Sequence, residues 1–167
     1  LDIEGLAVLD GRVWLGLRGP VLRGHAVVLE LQPEAGEDGE LHLRPLDGKP
    51  FRKHFLQLEG LGIRDMCRDG DDLLLLAGPT MALEGFLRVY RWLDAGSLAG
   101  DSISTDADEH LRALFELPFA IGHDRAEGLA LTRHLEESAL LVVYDDPAPE
   151  RRVGRQSVLM DLYRLPA

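Results

Sequence analysis

The chain has 167 residues, 46% of them apolar, and a net charge of −11. That length fits one ordinary domain with a real core, and the acidic balance argues against a nucleic-acid backbone as partner. No apolar run approaches the roughly 18 residues of a membrane helix, and the single cysteine, Cys67, excludes both an internal disulfide framework and a cysteine-built zinc site.

The first unit opens with Asp2-Ile3-Glu4-Gly5-Leu6-Ala7, and Leu6 to Leu9 reads as a short inner strand turned by Asp10-Gly11. Arg12 to Leu17 alternates, with Val13, Leu15 and Leu17 on one side and Trp14 opposite, and it closes on Gly19-Pro20. His25 to Leu31 supplies a third strand. Pro33 to Gly39 is an acidic turn that Leu41 to Leu43 extends as a hairpin, and Lys53 to Glu59 suits an outer strand.

The second unit repeats the scheme. Gly62-Ile63-Arg64-Asp65-Met66-Cys67 opens it, Asp69-Gly70-Asp71-Asp72 is the turn, and Leu73 to Ala77 closes on Gly78-Pro79. Leu87 to Trp92 follows. Leu111 to Leu117 is the expected outer strand, with a helical turn over Asp106 to Leu114 as the alternative. The third unit opens with Arg125-Ala126-Glu127-Gly128-Leu129-Ala130 and continues through Ala139 to Asp145, Asp146-Pro147 and Ser157 to Tyr163. It has no fourth strand.

Self-similarity at a spacing of about 60 residues, built from short strands, predicts a propeller or related β-repeat. The expected fold is all-β, with three four-stranded blades over residues 1–61, 62–122 and 123–167, the last lacking its outer strand. A helix at Leu73 to Ala77 or Ala139 to Tyr144 would end that reading. Three blades do not close a ring. The chain also begins at Leu1 inside a repeat, so the expectation is part of a larger propeller, or half of a ring completed by a second copy. Open strand edges then predict that the chain is not a stable isolated monomer, with Val158 and Leu162 at the contact.

These motifs carry a resemblance. Through Asp2-Ile3-Glu4-Gly5-Leu6-Ala7, Gly16-Leu17-Arg18-Gly19-Pro20-Val21, Ile63-Arg64-Asp65, Leu76-Ala77-Gly78-Pro79 and Ala126-Glu127-Gly128-Leu129-Ala130, the chain resembles the bacterial domain-of-unknown-function family 3616, a set of uncharacterised β-propeller proteins. Glu-Gly-Leu-Ala is also similar to an element of esterase-like, phytase-related propellers. The resemblance implies the propeller fold and no particular reaction.

In such a fold the loops before each first strand share one face of the disc with those between second and third strands. The first set carries Asp2, Glu4, Arg64, Asp65, Asp124 and Glu127; the second carries Arg18, Arg23, His25, Thr80, Asp145 and Asp146. Asp2, Glu4, Arg18, Arg64, Asp65, Asp124, Glu127 and Asp145 are the candidate ligand-binding residues at the mouth of the channel. A structural role stands beside this one: Glu4 and Glu127 accept from strand-end amides and pair with Arg18 or Arg64.

Asp2, Glu4, Asp124, Glu127 and Asp145 offer hard oxygen ligands for calcium or magnesium, which the intervening arginines oppose. No metal ligand is assigned and no cofactor is expected. His123 beside Asp124 is the one acid–base candidate, and no catalytic residue is assigned. The expected function is a binding module for a small molecule or protein at the charged mouth. The alternatives are a metal-assisted hydrolase of an ester or phosphoester and a protein-interaction scaffold. Cys67 is expected to be an inert core thiol. The compartment stays open, the cytoplasm being favoured.

Overall fold

Two-residue turns start each unit. Strands β1 (Asp2–Leu9) and β2 (Arg12–Gly19) are joined by Asp10-Gly11, where φ is positive at both residues (48° and 76°). This is the mirror-image turn whose twist matches that of the strands it joins. β3 (Ala26–Leu31) pairs antiparallel with β2. β4 (Pro33–Ala35) and β5 (Leu41–Leu43) form a separate two-stranded ribbon, and β6 (Arg52–Leu56) returns to β3.

The structure is a computed structural model and describes residues 1–80, 85–118 and 123–166. The expected unit boundary after residue 122 and the final residue of the third unit lie outside the described residues.

In the second unit β7 (Gly62–Asp69) and β8 (Asp72–Gly78) enclose Gly70-Asp71, and β9 (Leu87–Trp92) follows. The chain then crosses back. β10 (Ser102–Ser104) pairs parallel with β6 as a fifth strand of sheet one. β11 (Leu111–Leu117) completes sheet two on the edge of β9. The helical alternative shrinks to a 3₁₀ turn at Asp106–Asp108, closed by reciprocal bonds between Thr105 and Asp108.

In the third unit β12 (Arg125–His134) turns through Leu135-Glu136, both at positive φ, into β13 (Glu137–Asp145). One expectation is corrected here. Ser157 to Tyr163 is not a single strand. β14 (Arg152–Val153) captures β15 (Ser157–Val158) in a ribbon that the Leu159 amide prolongs by bonding to the Arg151 carbonyl. Only β16 (Asp161–Arg164) pairs with β13.

The protein is all-β. Among the described residues its main sheets run β1-β2-β3-β6-β10, β11-β9-β8-β7 and β12-β13-β16, and none closes on itself. Leu73 to Ala77 and Ala139 to Tyr144 are strands, as their short apolar runs require. Among the described residues no helix is long and apolar enough to cross a membrane.

Sheet two lies between the other two. On β8, Leu73, Leu75 and Ala77 pack toward sheet one, against Trp14, Val28 and Leu56. Leu74 and Leu76 pack the opposite way, against Ala126, Leu140 and Val142 of sheet three. The period of two along a strand thus feeds two cores from one run. Trp14 meets Trp92 edge-on at 5.6 Å across the first interface, and Phe115 stacks on Tyr163 at 5.1 Å across the second.

The first strands are close together, with β7 packed against both β1 and β12. Gly62 makes this possible: a methyl group there would sit 2.0 Å from the Arg18 carbonyl oxygen. Backbone cannot yield as a flexible side chain does. Gly62→Ala is therefore expected to destabilise the protein by about 2–3 kcal/mol through overpacking, read as a lowered midpoint in urea unfolding.

Candidate functional site

Each first strand contains one residue too many. In β1, Ile3 pairs with Leu17 and Gly5 with Gly16, so Glu4 is extra. In β7 the extra residue between Ile63 and Asp65 is Arg64, and in β12 it is Glu127, between Ala126 and Gly128. β2 has a second irregularity: Asp2 pairs with Gly19 and Ile3 with Leu17, which leaves Arg18 over. These are β-bulges, which bend a strand and re-aim a side chain. The residues expected just before each inner strand therefore lie within it, two residues after its start.

The bulges bring these side chains into one row. Arg18 Nη1 donates to Glu4 Oε1 at 2.7 Å, and its Nε is 4.0 Å from Asp2. Arg64 Nε stands 4.0 Å from Glu4 Oε2, and Arg64 Nη2 donates to Glu127 Oε1 at 2.5 Å. The order Asp2, Arg18, Glu4, Arg64, Glu127 alternates in sign and crosses all three sheets. Arg64, on the middle sheet, is 7% exposed, while Glu127 at the end of the row is 38% exposed. Among the described residues the buried Nε–H groups of Arg18 and Arg64 have no hydrogen-bond partner. The hydrogen bond that Arg18 donates to Glu4, then the charges of Glu4, Asp2 and Glu127, raise the Arg18 pKa against the effect of burial.

Asp65 faces elsewhere. Its carboxylate accepts from its neighbour's amide, Met66 N, at 2.8 Å and from Leu129 N at 2.6 Å, tying β7 to β12. Burial raises its pKa and outweighs those two bonds. The same setting pushes the Cys67 thiol up to about 12, chiefly through burial, so it stays protonated and unreactive.

Asp124 and Asp145 do not join the row. Asp124 accepts from Ala148 N at 2.8 Å and lies 3.0 Å from Arg151 Nε. Burial alone would raise its pKa, but the Ala148 amide and Arg151 hold it below the usual value. Arg151 grips Asp161 through two bonds of 2.8 Å, with its guanidinium 4.0 Å above the Tyr144 ring. Asp145 is exposed opposite Arg125 in the ladder and makes no ion pair among the described residues. His123 approaches Asp146, at 3.3 Å, and not its neighbour Asp124. Of the five carboxylates offered to a metal, all but Asp145 stand within 4.0 Å of an arginine among the described residues.

Other clusters have no sequence signal of that kind. Glu30 is fully buried; it accepts from Arg12 at 2.5 Å and from His54 Nε2 at 3.0 Å, with Arg52 at 3.4 Å. His54 Nδ1 lies 2.8 Å from Ser102 Oγ, and its ring stacks on Trp14. Burial pushes the Glu30 carboxyl up, but the bonds from His54 and Arg12 and the charge of Arg52 hold it below its ordinary value. Asp38, Glu40 and His42, exposed on the β4–β5 ribbon, have ligand atoms within 4.8 Å of one another. Alternate residues at a hairpin were the signal available for them. A cleft of about 520 Å³ between Asp69, Arg91, Glu137, Ser138, Arg164 and Leu165 lies at the opposite ends of the strands.

The site thus belongs to a protein of three layered, mostly antiparallel β-units whose bulges converge on one ionic row. The family model described as a protein of unknown function, DUF3616, matches residues 1–161, and the chain belongs to that family. No curated protein and no solved structure matches the chain.

Two outcomes follow from the charges. Arg64→Ala leaves Glu4 and Glu127 without their shared base; with both acids partly solvated, the loss is expected to be about 1–2 kcal/mol by urea unfolding. Glu30→Gln removes the buried charge that Arg12, Arg52 and His54 share, although Arg52 keeps Asp47 at 2.8 Å, and is expected to cost about 2–3 kcal/mol at neutral pH. Because the folded Glu30 pKa is depressed from 4.5, its stabilisation is present above that value and lost as pH falls through the folded one. The gap between wild-type and Glu30→Gln melting temperatures should therefore close on acidification below 4.5.

Proposed function

We propose that this protein is a binding module, its three units the blades of a β-propeller, with its ligand site at the bulged ends of β1, β7 and β12. The observation that supports this reading is the row Asp2, Arg18, Glu4, Arg64, Glu127. Three carboxylates there face two guanidinium groups, and the half-exposed Asp2 and Glu127 keep acceptor oxygens open to solvent. A rigid backbone holds the row, which is what a site needs if its ligand is not to bear the ordering entropy. The excess of acceptors favours a ligand with an amine or guanidine group over an anion.

The test is a thermal-shift and calorimetry screen with putrescine, agmatine, phosphate, calcium, magnesium and manganese. A cationic organic ligand is expected to raise the melting temperature; at a hundredfold excess over Kd the stabilisation is about 2.7 kcal/mol. The rise should vanish in the Asp2→Asn, Glu127→Gln double variant. Failure of both amines, or a rise that persists in the double variant, overturns the reading. A response to the divalent ions alone would turn the assignment to the metal-assisted hydrolase of an ester or phosphoester.

A further inference from the structure

Glu30, His54 and Ser102 lie on β3, β6 and β10, three neighbouring strands of sheet one. His54 is in register with Val28 on one side and with Ser102 on the other, and Glu30 is two residues along from Val28. All three side chains therefore stand on one face of the sheet. Arg12 and Arg52 hold Glu30 as a carboxylate, which can only accept. Its 3.0 Å bond to His54 is thus donated by the Nε2–H. In the neutral ring this leaves Nδ1 as the acceptor, 2.8 Å from Ser102 Oγ, whose hydroxyl donates to it. The ring is pinned in that orientation, stacked on Trp14 at 5.1 Å and edge-on to Trp92 at 5.4 Å.

Glu30 and His54 are fully buried, but Ser102 is partly exposed. β10 is the edge of sheet one, and among the described residues no strand pairs with its far side. The Ser104 carbonyl accepts from Gln57 N, so the backbone groups of Ser104 face β6. Successive backbone groups alternate in side along a strand, which turns the N–H of Ile103 to the open edge. A hydroxyl bonded to a histidine, a carboxylate on the other ring nitrogen and a free amide on the following residue are the parts of an acyl-transfer centre.

We propose that Ser102 is the nucleophile of an esterase centre, with His54 as its general base, Glu30 positioning the ring and the Ile103 amide receiving the oxyanion. The substrate is an ester of a short, uncharged acyl group: Ser102 is partly covered, Ile103 beside it is apolar and 66% exposed, and Asp101 on its other side repels an anion. Oγ attacks the ester carbonyl carbon while its proton passes to His54 Nδ1. The bond from that carbon to the alcohol oxygen then breaks, and the leaving oxygen takes the proton. Water attacks the acyl-serine and gives a proton to Nδ1; the acid departs as the bond from Oγ to the acyl carbon breaks, and the proton returns to Oγ. This inference does not depend on the ligand reading, since the ionic row shares no residue with it.

Labelling with diisopropyl fluorophosphate tests it. The reagent forms a bond from Oγ to phosphorus and releases fluoride, and tandem mass spectrometry locates the adduct. Wild-type protein is expected to carry the adduct on Ser102, and Ser102→Ala to carry none. Hydrolysis of p-nitrophenyl acetate should fall to the background rate in the same variant. His54→Gln and Glu30→Gln, each verified as folded by circular dichroism and assayed well below its melting midpoint, are expected to slow labelling by about a hundredfold or more. A wild-type chain whose Ser102 stays unmodified overturns the proposal, whatever the variants do. So does ester hydrolysis that persists in Ser102→Ala, or labelling that keeps its rate in either folded glutamine variant.

Discussion

Strand β8 has no solvent side. Its residues from Leu73 to Gly78 are all buried, with alternate side chains committed to different cores. A strand buried on both faces reads as an unbroken apolar run, and it is stable only if both faces are covered. Sheet two therefore depends on sheet one and sheet three together, and the three units cannot be separated without exposing leucines. The layered arrangement follows from this one demand, as does the close approach of β7 to the backbone of β2 at Gly62.

The ionic row is a consequence of that closeness. Where first strands crowd together, a regular ladder would send alternate side chains into the packed interfaces. The extra residue in each strand turns one charged group toward its counterparts on the neighbouring sheets. Exposed ion pairs contribute little to stability, but Arg64 is desolvated and held from both sides. Its worth lies in fixing how the three strand ends meet. The same end of the molecule is thereby both an inter-sheet clamp and the place with the greatest excess of acceptors.

Much of the strand order was legible because it is local. Gly and Asp at two-residue turns, alternation in Arg12 to Leu17 and the closing Gly-Pro or Asp-Pro pairs each depend on a few neighbouring residues. Leu87 to Trp92 and Leu111 to Leu117 begin and end where expected. The pairing of Glu4 with Arg18 and of Glu127 with Arg64 was also readable as a structural possibility from the repeat. What was hidden depends on partners far along the chain. A bulge leaves no mark on hydrophobic periodicity, since it is defined by the count on the opposite strand. Glu30, His54 and Ser102 are separated by 24 and 48 residues and look like ordinary polar positions until β3, β6 and β10 are laid side by side. Asp124 was grouped with the row by position, but the Arg151 that claims it ends a 3₁₀ turn, Pro149–Arg151, leading into the β14–β15 ribbon.

The parallel pairing of β10 with β6 sets the order in which the molecule can assemble. The antiparallel contacts within the three main sheets join strands that follow closely in sequence, so each meander closes loops of modest length. β10 joins residues 48 positions apart, Ser102 to His54, and emerges after three strands of the second unit. Loop closure over that distance is rewarded only once both ends are already held in place. Sheet one is thus unfinished until much of sheet two exists, and its fifth strand latches the two into one cooperative block. Among the described residues sheet three receives no strand from another unit. Its bonds to the block are side-chain ones, such as the Asp65 carboxylate on the Leu129 amide and Arg64 on Glu127. In native-state exchange the protein would then behave as a two-unit body from which the third unit opens only at the cost of exposing Leu74 and Leu76.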